Sequence, residues 1–324
     1  MKRASWLAAG LLGLALAATP ATPKAALTRV TSGGCCGGTV WTPDSRSLLY
    51  IDRPPGAAKA AVYSVPAAGG VGPSVRFSRV AFYSPDLRYA AVPQGSSTLV
   101  ERLSGGQRWT LNTQGAQLLW GPGQQVAYTV SAQSGNYDQR SSRVYVAALG
   151  KTPRLVATVY GGSAAAWLGP QTLLMSGKTV AGARDRQLYT LDLRSGTRRT
   201  LATALNLRGV QASPDGQWVV YTVAFDSAAR NGLFLQSTAG GAARRLNWFG
   251  SYQWRGSSSL LYIPLILNVA AHTVQLYDLK SGQSRPLLDL GAKVQSDQWL
   301  TSPDGQKLAF RRAGDGNVYV TKLP

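Results

Sequence analysis

The chain has 324 residues, 44% of them hydrophobic and 15% charged, and a formal charge of +20 at pH 7. That apolar share excludes a disordered chain, and thirteen Asp with one Glu (Glu101) leave little from which to build acid–base pairs or calcium cages. The 36 glycines, 14 tyrosines and 9 tryptophans favour strands separated by tight turns, and no amphipathic helix of useful length occurs.

In chain order, Met1-Lys2-Arg3 followed by the apolar run Ala4 to Ala18 reads as a secretory signal over residues 1–18, with Ala15 and Ala17 fitting a cleavage site. The run meets Thr19-Pro20 too early for a spanning helix, and the nearest later candidate, Leu260 to Ala271, is too short. A periplasmic or secreted protein is therefore expected, with residues 19–25 as a linker. Next comes the vicinal pair Cys35-Cys36 inside Gly33-Gly34-Cys35-Cys36-Gly37-Gly38. An oxidising destination favours pairing, although adjacent Cα atoms ~3.8 Å apart strain a disulfide and the flanking glycines must ease the backbone. A vicinal disulfide between Cys35 and Cys36 is the expectation, with free thiols, or a redox, metal or intermolecular role, as the alternatives.

From there the chain repeats. The sharpest copies are Ser213-Pro214-Asp215-Gly216 before Val219-Val220-Tyr221, and Ser302-Pro303-Asp304-Gly305 before Leu308-Ala309-Phe310. Proline presets the first turn dihedral, Asp accepts local N–H groups and Gly takes the left-handed conformation, so each is a tight hairpin. Further copies stand at Pro43, Pro85, Pro122, Pro170 and, degenerately, near Arg255-Gly256, at spacings of 37 to 48 residues. An aromatic precedes the turn in several copies: Trp41, Phe82, Trp120, Trp167 and Trp254. A third strand, a glycine turn and a short basic fourth strand, such as Arg198-Arg199-Thr200-Leu201, complete each unit.

The turn, the apolar-aromatic second strand and the arginine-leucine fourth strand resemble TolB-type β-propeller repeats, related in architecture to WD-repeat propellers. The resemblance covers residues 26–324 and implies one all-β domain. TolB itself would carry an α/β domain ahead of a six-bladed propeller, and here the repeats begin too soon after the signal for one. Counting units predicts a seven-bladed β-propeller of four-stranded antiparallel blades. The final unit is short by one strand, and Ala26-Leu27-Thr28-Arg29-Val30 matches the missing fourth strand, so the N-terminal strand is expected to close the ring.

Chemistry is sparse. His272 is the lone histidine, expected at the surface between a second and a third strand, and metal sites gather three or four ligands. A Ser-His-Asp relay on His272 would lack a nucleophile-elbow motif. No metal or other cofactor is expected. The positive charge falls in two groups. Arg76, Arg108, Arg154, Arg198, Arg199, Arg244, Arg245 and Arg285 lie on outer fourth strands, where charge discourages edge-to-edge aggregation. Arg53, Lys59, Arg140, Lys178, Arg184, Arg186, Arg230, Arg311 and Arg312 fall between second and third strands, loops that a propeller gathers on one face. That face would attract a protein or an anionic envelope polymer, nucleic acid being disfavoured by export; a merely solvated arginine-rich surface is the plain alternative. The reading is a monomeric, non-catalytic binding or assembly platform; the alternative is an extracytoplasmic lyase or hydrolase acting on a polymer.

Overall fold

The computed structural model describes residues 21–32 and 38–324. The signal expected over 1–18 and the pair Cys35-Cys36 lie outside the described residues. Among those described there are strands and turns and no helix.

The local cause is a turn whose geometry recurs in four copies. Thr42, Ser84, Ser213 and Ser302 each donate a hydroxyl to the aspartate two residues on, at 2.5 to 2.6 Å. Each hydroxyl also accepts the N–H five residues on, from Ser47, Tyr89, Trp218 and Lys307, at 2.9 to 3.0 Å. The aspartate Oδ1 accepts a second N–H, as from Gln217 at 3.1 Å and Gln306 at 3.0 Å. The hydroxyl residue before the proline thus ties the hairpin together, a role not apparent from the proline, aspartate and glycine alone.

Each hairpin launches a second strand buried on both faces. Leu48, Leu49 and Tyr50, Leu173 to Met175, and Leu308 to Phe310 are all at most 3% exposed. Such strands read as continuous apolar runs because neighbouring sheets cover both sides. Cross-strand rings lock the third strand on, as in Tyr128–Tyr145 (centroids 5.3 Å apart) and Tyr221–Phe234 (5.6 Å).

The pairing yields five four-stranded antiparallel sheets and one of seven strands. In chain order the first sheet holds Thr39–Trp41, Ser47–Asp52, Ala61–Pro66 and Ser74–Phe77. The long strand Arg154–Gly169 runs through the seven-stranded sheet, pairing by its first half with Ser141–Ala148 and by its second with Thr172–Lys178. The last sheet takes in the N-terminal strand, narrower than expected at Thr28–Arg29, in register with Val320 and Tyr319. Buried clusters lie between successive repeats rather than within them. Val220, Leu233 and Leu235 of one repeat meet Tyr252, Leu260 and Tyr277 of the next. Likewise Trp41, Leu48 and Tyr50 of the first repeat meet Ala309, Val318 and Val320 of the last. This is a propeller arrangement, in which no sheet buries its faces alone.

Candidate functional site

The loops between second and third strands carry the cations expected to meet, and most are engaged within the protein. Asp138 is their hub. Lys178, buried, donates to its Oδ2, and Arg186 donates to Oδ1 at 2.6 Å and to the Gly161 carbonyl. The Lys178 hydrogen bond and the Arg186 charge hold the Asp138 carboxyl below the usual carboxylate range. Gly161 allows this approach, since its φ is +59° and a Cβ there would stand 2.8 Å from the Asp138 carbonyl oxygen. Arg140 donates to the Gly135 carbonyl at 2.9 Å, and its buried Nε has no partner in the protein.

The remaining cations divide. Arg312 pairs with Asp315 at 2.5 Å and lies over the Tyr319 ring, and Arg311 donates to the Gly316 carbonyl at 2.9 Å. Arg230 pairs with Asp226 at 3.2 Å; the Ser227 N–H, with Arg230 and Arg184 nearby, holds that carboxyl below its ordinary range. Arg184 stands exposed 3.8 Å from Asp185, and Arg53 is exposed, its Nε donating to Ala57 of its own loop. Thus Lys178 and Arg186 come together on an acid, while Arg53 and Arg184 keep the solvent access a partner would need. Sequence reading missed Asp138 because its partners stand 40 and 48 residues away.

The outer-strand arginines do more than cover an edge. Arg154 reaches the Leu193 carbonyl at 2.8 Å, Arg199 that of Ala239 at 2.6 Å, and Arg244 that of Leu279 at 3.1 Å. In each case a fourth strand is latched to the turn of the following repeat. His272 is half-buried rather than superficial: its Nδ1 accepts the Val294 N–H at 3.1 Å, and burial, with Lys293 nearby, pushes its pKa down. Among the described residues no group of three His, Cys, Asp or Glu stands together as a metal site would need.

A different concavity forms where the inner strands converge. It encloses about 670 Å³ and is lined by Trp41, Phe82, Trp120, Pro214, Trp254 and Leu300, drawn from six repeats. Four of the five aromatics that precede turns in the sequence are therefore gathered around one space, while Trp167 packs elsewhere and donates to the Leu119 carbonyl. No charged side chain is among its described lining residues, in a chain of formal charge +20. Two of the lining residues, Trp254 and Thr301, carry a buried Nε1 and Oγ1 with no partner in the protein. Volume and lining suit a small apolar guest with a few polar contacts.

No family model matches the chain, and no curated protein does. Solved structures do. An oligogalacturonate lyase in complex with manganese is similar over 94% of this chain and 99% of its own, with a TM-score of 0.65 at 11% identity. The β-propeller domain of Cps50 (Swd1) from Myceliophteria thermophila matches over 93% and 100%, with a TM-score of 0.53 at 12% identity. TolB from Acinetobacter baumannii matches over 70% of this chain and 59% of its own, with a TM-score of 0.43 at 17% identity. At such identities likeness speaks to architecture alone. Strand pairing, with the likeness to the lyase and to the Cps50 (Swd1) domain, makes the chain an all-β propeller with four-stranded antiparallel blades.

Proposed function

We propose that this chain is an exported, non-catalytic binding platform of the cell envelope, a single domain over residues 26–324 built from seven TolB-type blades. The seven-stranded sheet supports that count if Arg154–Gly169 serves as outer strand of one blade and inner strand of the next. Closure by the N-terminal strand has support from the pairing of Thr28–Arg29 with the last repeat. Further bonds join the two ends of the chain: Trp41 Nε1 to the Leu300 carbonyl at 3.3 Å, and the Asp304 N–H to Ser45 Oγ at 3.0 Å.

The cavity pooled from six repeats carries the binding reading. A space of about 670 Å³ lies within the ~300–1,000 Å³ of small-ligand pockets, and its uncharged lining selects a neutral group or an apolar side chain of a partner. The opposite contribution comes from the face of the loops between second and third strands, where Arg53 and Arg184 remain available to an anionic partner. Exposed pairs contribute only ~0.2–1 kcal/mol each, so several must act together, and rising salt weakens them.

Affinity capture from envelope extracts, read by mass spectrometry, tests the proposal. Phe82→Lys, which puts a cation into the cavity, and Arg53→Glu with Arg184→Glu should each reduce capture at an unchanged melting temperature. Capture indifferent to both sets, or turnover of an envelope polymer by the purified protein, would overturn it.

A further inference from the structure

Repeats five and six expose an apolar surface that the cations alone do not explain. Leu265, Ile266 and Leu267 follow the second strand Ser259–Pro264 and are 67%, 59% and 80% exposed. Phe249 (56% exposed) is joined to them by the Leu265 N–H, which donates to its carbonyl at 2.9 Å. Phe225 (68% exposed) shares with Phe249 and Trp248 a cleft of about 810 Å³. Large apolar side chains exposed side by side in this way mark an interaction surface.

Phe225 adds an independent sign. It holds a φ of +57°, a left-handed backbone that bulky residues avoid and that Asn or Gly would adopt with less strain. An exposed aromatic kept in a strained conformation contributes little to folding, and such strain collects at functional positions. Around the patch stand exposed arginines. Arg208 lies over the Phe225 ring at 4.8 Å, Arg245 lines the cleft, and Arg230 and Arg184 lie near Asp226.

We propose that this patch seats the protein on an anionic lipid bilayer, with Phe225, Phe249 and Leu265 to Leu267 entering the interface and the arginines meeting headgroups. It rests on the anionic-partner reading of the loop face and names that partner. Apolar tips rimmed by cations have the amphipathic character that surface-seated segments need, and each basic group near an anionic leaflet adds to the attraction. A second copy of the chain is a poor occupant, because it would set the same arginines against one another on a chain already at +20.

Vesicle co-sedimentation tests this, with phosphatidylcholine alone and with phosphatidylglycerol mixed in. The protein should sediment with the anionic vesicles and far less with the neutral ones. Leu265→Ser with Ile266→Ser and Leu267→Ser should weaken that binding about tenfold or more. Phe225→Asn should weaken it too while raising the melting temperature, a pairing that a merely structural role does not produce. Absence of vesicle binding, equal binding to both vesicles, or binding indifferent to the apolar substitutions would overturn the lipid proposal. Salt-sensitive capture of an acidic protein that persists in such a case would leave the anionic-partner reading standing; loss of that capture as well would remove both.

Discussion

Leu87 stands in the turn position that Gly216 and Gly305 fill in the two sharpest copies, and its φ is +55° against +70° and +69°. The serine hydroxyl and aspartate bonds around it are those of the glycine copies, so the turn forms despite the strain. Left-handed backbone costs an ordinary residue ~1–2 kcal/mol, partly offset by the entropy that glycine loses on folding. Leu87→Gly is therefore expected to stabilise by about 0.5–1 kcal/mol, read as a melting temperature raised by roughly 1–3 °C. His272 makes a pH prediction. Its Nδ1 must stay unprotonated to accept the Val294 N–H, and its folded pKa lies below the ordinary ~6.5. The folded state thus binds fewer protons than the unfolded one, so stability is complete above the unfolded pKa and declines as pH falls through the folded one. Melting temperature should drop between pH 7 and 5, and that drop should shrink in His272→Gln.

At the scale of elements, three fourth strands are latched to the repeat that follows, through Arg154, Arg199 and Arg244. Arg199 gives a charged donor to a neighbouring backbone carbonyl at 2.6 Å, a bond worth about 0.5–1.5 kcal/mol at this exposed edge. Arg199→Ala should lower stability by that amount, and adding Arg154→Ala at a separate latch should be nearly additive in chemical denaturation. The long strand Arg154–Gly169 makes a steeper prediction. A Cβ on Gly162 would lie 2.0 Å from the Ser176 carbonyl oxygen and 2.4 Å from the Gly177 Cα, backbone atoms of the paired strand that cannot swing aside. Gly162→Ala should cost roughly 1–3 kcal/mol or more and show as a lower melting temperature, because the backbone of the paired strand leaves no room for a side chain there.

Across the whole molecule, the first described strand and repeat meet the last repeat. Val30 is 6% exposed among Trp41, Val318 and Val320, and Leu27 packs beside Phe310 and Tyr319. Burying Val30 contributes about 1.5–3 kcal/mol and the half-buried Leu27 less, to which the ladder bonds to Val318–Lys322 add. Deleting residues 24–31 should lower the melting temperature markedly or leave aggregates through the exposed strand edge. An unchanged melt after that deletion would rule out closure.

What the chain's own letters determined is local. Pro-Asp-Gly turns, continuous apolar second strands and basic fourth strands all follow from interactions within about ten residues, which is why the strand order and the buried runs are legible without coordinates. Which charges pair is not local. Asp138 pairs with Lys178 and Arg186 of the following repeat, and Arg154, Arg199 and Arg244 find carbonyls of the repeat that follows their own. Cations that share a loop position therefore have different fates: Lys178 and Arg186 meet an acid of the preceding repeat, whereas Arg184, Arg230 and Arg312 stand by acids of their own loops. The aromatic before several of the turns is visible in the sequence, but only convergence of the inner strands turns Trp41, Phe82, Trp120 and Trp254 into the walls of one uncharged cavity. Tertiary structure decided the sites because the cavity and the Asp138 cluster are built by neighbouring repeats in contact, and no single repeat contains them.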